Sequence, residues 1–510
     1  MSQGCDLSVL EELTSNAKQI QDDVLNKILK ANANTEYLSR FLEGSSDKEL
    51  FKKNVPVVSY EDVKPYIDRV ANGEPSDILS GEPITAFTLS SGTSSGNPKI
   101  FPATDNFENI KSAGALNSLI MSKHVAGYNQ GKVMIFRFTH PISTTPCGLP
   151  LASVVTILMK SKHFLSMEKR STIPKEIIRC PDKKQSMYCQ LLFGLVQRDE
   201  LARNIRSGHL SEWITDLSCR DSVSIILGEP NPELADLIKK ECTGQESWQG
   251  IITRLWPKTK CIETIVTGTL AQYIPVLEFY SNKLPLVSKN YASSETFFGI
   301  NLNPLSKPEH VSYTFLPNMA YFEFIDVGVD GGTEGEIVDL VDVKLGHYYE
   351  PLVTNYYGLH RCRVGDVLQV TGFYNKAPQF RFVRRKNTVL SIYVESTTEE
   401  DLLKALAPKV NSGTNVLLLD NKVLVEYCCV MEESLSSSYR TLRRQDGLIG
   451  ALEVRIVQKG TFDSLMEFFV SRGASITQYK TPICINSVEA LKVLEDKVLA
   501  RFFSDKSPPI

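Results

Sequence analysis

The sequence predicts an α/β protein in two unequal parts. A large N-terminal domain of mixed sheets and helices spans 1–390, a hinge spans 391–400, and a small mobile α+β domain spans 401–510. Three observations predict this. Helices separate some β-type runs of the first part but not all, as in α/β layers with an antiparallel portion. Residues 395–400 are polar and threonine-rich, as linkers are. Beyond them the chain turns to short helical stretches around one clear strand run.

The first element rests on Leu10, Leu13, Ala17, Ile20, Val24 and Ile28, whose spacing of three and four marks an amphipathic helix. Residues 51–73 predict a second helical stretch, with Pro65 near its start or at a kink. At 81–100 apolar residues lead into a Ser/Gly/Thr cluster, and Thr104, Asp105 and Asn106 offer caps for the next helix. The apolar run 152–159 reads as a core strand or helix. Strands are expected at 261–266, 284–288, 320–325, 366–370 and 380–383, with a turn at Asp330, Gly331 and Gly332. Past the hinge, helices are expected at 401–409, 428–440, 461–472 and 488–503, and a strand at 451–458.

Composition narrows the function. Of 510 residues, 42% are hydrophobic and 23% charged, which excludes disordered, collagen-like and coiled-coil chains. The 56 Lys and Arg against 59 Asp and Glu leave a net charge of -3, so no basic surplus exists for binding nucleic acid. The 11 cysteines are scattered, odd in number and without a Cys-x-x-Cys pair. That is neither a disulfide framework nor a zinc signature, and it fits reduced thiols in the cytoplasm. No signal region and no apolar run of about 20 residues occurs, so no membrane association is expected. The seven histidines form no metal-binding pattern, and no Gly-x-Ser-x-Gly elbow is present. His124, His140 and His209 read as packing or surface residues.

Four segments carry possible chemistry. Residues 89–99 run from a strand into Ser90, Ser91, Gly92, Thr93, Ser94, Ser95, Gly96, Asn97, Pro98 and Lys99. Glycines permit close approach of a phosphate, and amides and hydroxyls satisfy its oxygens. The segment lacks the Gly-Lys-Ser/Thr of a Walker A loop and also reads as a polar surface turn. In Tyr291, Ala292, Ser293, Ser294 and Glu295, a carboxylate follows small residues at a strand end. Such a group suits Mg²⁺, or else the first turn of a helix. In 355–372, Asp366 stands before an apolar run and can accept two ribose hydroxyls, or serve as a turn residue beside solvated Arg361 and Arg363. In Gln478, Tyr479, Lys480, Thr481 and Pro482, the lysine can reach an anion across a cleft or lie on the surface.

Taken together and in this order, the four segments resemble those of the plant acyl-acid–amido synthetases, members of the adenylate-forming superfamily. The likeness spans nearly the whole chain and is nearest to the benzoate/chorismate-type branch, supported by residues 52–56 and 197–200. It implies an adenylate-forming N-terminal domain with a β-barrel part, a mobile C-terminal domain, and action as a monomer. It implies a ligase that makes an acyl-adenylate from ATP and a small carboxylic acid, then passes the acyl group to a free amino acid. Ser90, Ser91, Gly92, Thr93 and Ser94 would hold phosphates. Tyr291, Ser294, Asp366 and Phe373 would line the nucleotide site, with Asp366 on the ribose. Glu295 would carry Mg²⁺, Lys480 would stabilise charge at the adenylate, and Asn117 and Thr267 would face the acyl substrate.

The sequence departs from the family pattern at several points. Ala292 replaces a glycine, and Ser396 stands at the hinge lysine's place. Asn117 stands where related enzymes place an arginine for the acyl carboxylate. Tyr357 and His360 replace alanine and tyrosine, and Ile476 and Ile483 interrupt the lysine motif. A helix-sized stretch that helps wall the acyl pocket is missing between Ala202 and Arg203, and a second shortening follows Ala407. These departures motivate a rival expectation, a degenerate member that binds nucleotide or acyl ligand without efficient turnover.

Overall fold

The computed structural model describes residues 6–90, 99–104, 108–131, 133–134, 136, 142–154, 156–157, 171, 173–180, 182–192, 198–243, 248–328, 335–386, 389–392, 395–398, 421–435, 437–444, 449–472, 479, 481–482, 485 and 487–506. The periodic segment at the N-terminus forms two helices rather than one, α1 (Leu7–Ser15) and α2 (Ala17–Asn32). Asn16 interrupts them, its amide turned back onto the Glu12 carbonyl at 3.1 Å. Such local side-chain bonds compete with helix propagation. Val24, Leu25, Ile28 and Leu29 bury the inner face of α2. Gln21 docks it, accepting from the Phe322 amide at 2.8 Å and donating to the Pro317 and Ala320 carbonyls at 2.7 Å.

Helix α3 (Glu36–Leu42) follows, capped by Thr35. The stretch 51–73 also divides, into α4 (Lys48–Asn54) and α5 (Tyr60–Ala71). Pro56 holds Val55 extended, which ends α4. Val58 then bridges to Cys362, and Ser59 with Asp62 forms the capping box that restarts the helix. Pro65 lies inside α5 rather than at its start.

A four-stranded sheet comes next, in the order β2-β1-β4-β3. Its strands are β1 (Ala86–Leu89), β2 (Ile100–Ala103), β3 (Ser143–Thr144) and β4 (Pro150–Ser153), with α6 (Glu108–His124) between β2 and β3. β1 pairs antiparallel with β2 and parallel with β4. A helical unit follows, of α7 (Lys175–Arg179), α8 (Lys183–Leu192), α9 (Arg198–Ser207), α10 (Leu217–Leu227) and α11 (Pro232–Thr243). Its core includes Ile177, Tyr188, Ile214 and Val223. Helix α9 runs unbroken through Ala202 and Arg203, and Ala202 and Ile205 pack on Ala235 and Ile238 of α11.

β5 (Ile262–Glu263) and β6 (Leu286–Val287) form a small parallel pair. The antiparallel part is a nine-stranded sheet of β7 (Asn290–Ala292), β8 (Phe297–Ile300), β9 (Tyr313–Phe315), β10 (Tyr321–Asp326), β11 (Ile337–Asp339), β12 (Tyr348–Thr354), β13 (Cys362–Arg363), β14 (Asp366–Tyr374) and β15 (Ala377–Arg385). The order is β11-β10-β12-β14-β15-β9-β8-β7, with β13 on β12. The part expected to be barrel-like is this sheet, and its edge strands have no described pairing with each other. Phe298, Phe315, Phe322, Phe324 and Phe380 fill its buried face. The expected turn at 330–332 lies outside the described residues.

In the expected hinge, β16 (Val389–Ile392) and β17 (Glu395–Thr398) form an antiparallel pair that places Ser396 opposite Ser391. The expected helix at 401–409 lies outside the described residues. Helices α12 (Asn421–Ser434), α13 (Ser437–Arg444), α14 (Thr461–Ser471) and α15 (Val488–Glu495) accompany a two-stranded sheet of β18 (Glu453–Val457) and β19 (Val498–Phe503). The helix expected over 488–503 is therefore a helix and then a strand. Residues Val498 to Phe503 alternate between half-buried and exposed, the period of a strand on a partly covered face. Glu432, fully buried, gathers this part by accepting from Arg443, Tyr439 and the Leu452 amide at 3.0–3.1 Å.

Candidate functional site

The site is built where the β7–β8 turn meets the first residue of β14. Tyr291 stacks on Phe298, with ring centroids 4.7 Å apart, and on Tyr313 at 5.8 Å. That stacking fixes the ring, and its hydroxyl donates to Asp366 Oδ2 at 2.6 Å. Burial and the adjacent Asp366 carboxylate push the Tyr291 phenol well above its ordinary value. Asp366 is only 2% exposed. Its Oδ1 lies 2.9 Å from Arg385 Nε yet accepts no hydrogen bond. A buried acceptor with a counter-ion beside it and a free lone pair suits a ligand hydroxyl. Arg385 is the cross-strand partner of Asp366 in the β14–β15 register.

Glu295 sits in the turn between β7 and β8, so the helix-start alternative does not apply. The Ser293 hydroxyl donates to its Oε2 at 2.5 Å, and the Ser293 amide closes the turn onto the Thr296 carbonyl at 2.9 Å. Burial raises the Glu295 carboxyl above its ordinary range; Ser293 and Arg385 oppose this and the Asp366 charge adds to it. A hard carboxylate oxygen short of positive charge, near a second carboxylate, is a fitting donor for Mg²⁺, which takes one or two carboxylates beside substrate phosphate. Ser294 is half-buried in the same turn.

Asn355 joins this turn to the third segment. Its amide donates to the Glu295 carbonyl at 2.9 Å, while its Oδ1 accepts from the Tyr357 and Leu359 amides at 2.9 and 3.1 Å. Gly358 lets the loop pass: its φ is +98°, and a Cβ there would meet the Leu79 carbonyl oxygen at 2.7 Å. Arg361 is buried and Arg363 half-buried, and both are engaged by carboxylates. Arg361 makes a buried two-pronged ion pair with Glu323 at 2.9–3.0 Å and also donates to the Lys52 and Val55 carbonyls. Arg363 meets Glu350 at 2.8 Å.

Ser90 and Lys99 close the base of the first segment. The Ser90 amide donates to the Lys99 carbonyl at 2.8 Å, and the Lys99 amide returns to Ser90 Oγ at 3.1 Å. Ser91, Gly92, Thr93 and Ser94 lie outside the described residues. Burial pushes the Cys362 thiol up to about 12, with the Glu295 charge raising it further and the Lys99 charge opposing. Both charges thus lie within electrostatic reach of one strand residue.

Thr267 precedes a turn at Gly268–Tyr273, and its side chain lies within reach of the Tyr313 hydroxyl, which meets Ser288 at 2.7 Å. Thr267 is thereby linked through Tyr313 to Tyr291. Asn117, buried on α6, donates its amide to Asn290 Oδ1 beside Tyr291. Lys480 lies outside the described residues, but Tyr479 is within electrostatic reach of Tyr273, at the end of the turn that Thr267 begins.

Phe373 is not brought to this place. It lies 41% exposed, seven residues along β14 from Asp366, or about 23 Å at strand rise. Its end of the hairpin packs on α1 instead, where Tyr374 and Asn375 reach Glu11. Sequence reasoning missed Asn355 and Arg385. Asn355 stood at the edge of a segment already singled out. Arg385 becomes visible only once the strand register is known.

Comparison with known proteins identifies the family. The profile described as GH3 family N-terminal domain matches residues 6–203 and 198–286, the central-domain profile 313–385, and the C-terminal-domain profile 368–489. The N-terminal match breaks into two pieces around Ala202 and Arg203. The 4-substituted benzoates-glutamate ligase GH3.12 of Arabidopsis thaliana is 50% identical over 563 aligned positions, covering 97% of each chain. The indole-3-acetic acid-amido synthetase GH3.15 of Arabidopsis thaliana is 47% identical, covering 98% of this chain and 96% of that one. A solved GH3.15 acyl acid amido synthetase superposes with a TM-score of 0.91 at 47% identity, covering 100% of this chain and 99% of that one. Because 563 aligned positions exceed 510 residues, the benzoate ligase carries stretches that this chain lacks.

Proposed function

The chain belongs to the GH3 family of acid–amino acid ligases, and on that premise we propose that it joins a small benzoate-, chorismate- or auxin-like carboxylic acid to a free amino acid through an acyl-adenylate. The observation that carries this reading is the cluster in which buried Tyr291 and Asp366 meet half-buried Glu295 and the exposed Arg385. Its free acceptor suits a ribose hydroxyl, and its under-compensated carboxylate suits a divalent cation.

In this reading the acid's carboxylate attacks the α-phosphorus of ATP and pyrophosphate leaves; the amine of an amino acid then attacks the acyl carbon and AMP leaves. Neither step needs a covalent nucleophile from the protein. The protein supplies position and charge compensation. Mg²⁺ bound at Glu295 would neutralise phosphate charge. Asp366 holds the ribose, Tyr291 and Arg385 hold Asp366, and Asn355 holds the turn that carries Glu295. Ser90, Ser91, Gly92, Thr93, Ser94 and Ser294 contact phosphate, and Lys480 meets the developing charge as the small domain turns on the hinge at 391–400. Thr267 and Asn117 face the acyl group. The expected site is cytoplasmic and the expected state a monomer; no helix among the described residues is long and apolar enough to cross a membrane.

The test is acid-dependent release of pyrophosphate from ATP by the purified chain, screened over benzoates, chorismate and auxins, followed by amide formation over the amino acids. Release that requires an acid, with an amide as product, supports the reading. ATP binding without release from any acid supports the rival, a degenerate binder, which the absent stretches favour.

A further inference from the structure

Away from this site, the helical unit gathers three cysteines and an aspartate that the reaction does not use. Cys180 ends α7, Cys189 lies on α8, Asp216 caps α10 and Cys219 lies in its first turn. All three thiols are buried and none is in a disulfide. The ligand atoms of Cys180, Asp216 and Cys219 all lie within 4.8 Å of one another. Cys189 lies within electrostatic reach of Cys219. We propose that these four side chains form a structural site for a thiophilic divalent cation, Zn²⁺ by preference.

The donor set is the first argument. Three thiolates and one carboxylate make a closed tetrahedral site, the arrangement of structural rather than catalytic zinc. With Zn–S bonds of about 2.3 Å, two sulfurs on one tetrahedral zinc lie about 3.8 Å apart. Cys180, Asp216 and Cys219 need only a small contraction, and Cys189, outside that close trio, would move in as the fourth donor. Binding would release the three thiol protons to solvent while the carboxylate enters ionised.

The second argument is the support around the donors. Asp216 Oδ1 accepts from the Cys219 amide at 2.9 Å, fixing its carboxylate at the helix start. Gln185, itself buried, accepts from the Thr215 and Asp216 amides at 2.8 Å and donates to Asp182 and Thr215. Such outer contacts orient metal ligands. The third argument is location. The donors come from three short helices whose core is small, near Ala202, around which the N-terminal profile match divides. A cation would tie α7, α8 and α10 together there. The spacing of these cysteines in sequence matches no familiar zinc pattern, so only the fold reveals them.

The experiment uses the full chain, purified without chelator. Metal analysis is expected to find about one zinc per chain after desalting, and Cd²⁺ titration of stripped protein a thiolate-to-metal charge-transfer band saturating at one equivalent. Cys219→Ser should abolish both, and Cys180→Ser and Asp216→Asn should weaken binding about tenfold or more. Cys147→Ser, which changes an exposed cysteine outside the cluster, should leave them intact. Zn²⁺ should raise the melting temperature of the wild type but not of Cys219→Ser. Asp216→Asn keeps a capping side chain, so it reports on the metal even if a cysteine variant fails to fold. No charge-transfer band in the wild type, binding that survives Cys219→Ser and Cys180→Ser together, or a disulfide among these cysteines in the metal-free native protein would each overturn the proposal.

Discussion

Asn355 donates from its side chain to the main-chain carbonyl of Glu295 at 2.9 Å, tying the loop after β12 to the turn between β7 and β8. The same side chain accepts from two amides of its own loop, so one buried amide group fixes two segments of the site. Asn355→Ala removes all three bonds and should cost roughly 2–4 kcal/mol of stability. Asn355→Asp keeps the acceptor but loses the donor. It should recover part of the stability, read by denaturant unfolding, without recovering the rate of pyrophosphate release. Full recovery of both would make Asn355 only a loop brace.

Asp366→Ala removes the group proposed to grip ribose. A charge-assisted hydrogen bond contributes roughly 1.5–3 kcal/mol, so ATP affinity by calorimetry should fall about tenfold or more. Tyr291→Phe tests the support behind it. It leaves Asp366 Oδ2 without its donor and should cost about 1–3 kcal/mol, with a smaller loss of ATP affinity. Unchanged ATP binding in Asp366→Ala would remove that residue from the site.

Glu295 makes a pH-dependent prediction. Burial raises its folded-state pKa. A carboxyl whose pKa is raised on folding contributes stability at low pH that is lost as pH rises through the folded value. At neutral pH the ionised group therefore destabilises the fold when no cation is bound. Glu295→Gln removes the charge and keeps an acceptor for Ser293. Its melting temperature at pH 7 should exceed that of the wild type, with the gap closing as pH falls into the carboxylate range. Adenylation should drop and require more Mg²⁺. Identical melting curves and identical Mg²⁺ titrations would leave Glu295 an ordinary turn residue.

The elements that position these groups were legible in part. The β-type runs that became β10, β14 and β15 stood out through their apolar content, and the Ser/Gly-rich and Asp-bearing segments stood out through composition. Pairing was not legible. Arg385 reaches Asp366 only because β14 and β15 pair in one register, which shifts at two irregularities after Val367 and Val370. The same extended strand carries Phe373 away from Asp366, although both belong to one stretch of sequence. Residues 498–503 were read as helix because their apolar residues fit either period, and pairing with β18 decides the matter. The four donors of the proposed metal site are separated in sequence and converge only through helix packing.

The last prediction concerns the acyl substrate. The resemblance places a cationic anchor for the acid where this chain has Asn117, and a pocket-walling helix where α9 runs straight through Ala202 and Arg203. Asn117 is 5% exposed and its amide is already donated to Asn290. An arginine offers a carboxylate two parallel charged bonds, whereas an engaged amide offers little. Pyrophosphate release should therefore saturate normally with ATP but demand high concentrations of benzoate-like acids. Asn117→Arg sharpens the test. A guanidinium at this buried position beside a neutral asparagine should lower the melting temperature, since an unpaired buried charge destabilises. If the position faces the acid, benzoate should restore that loss and lower the acid KM. Wild-type turnover that saturates at low benzoate would show that the anion is held by other groups. An Asn117→Arg variant indifferent to benzoate would place Asn117 outside the acyl site and leave it as the brace between α6 and β7.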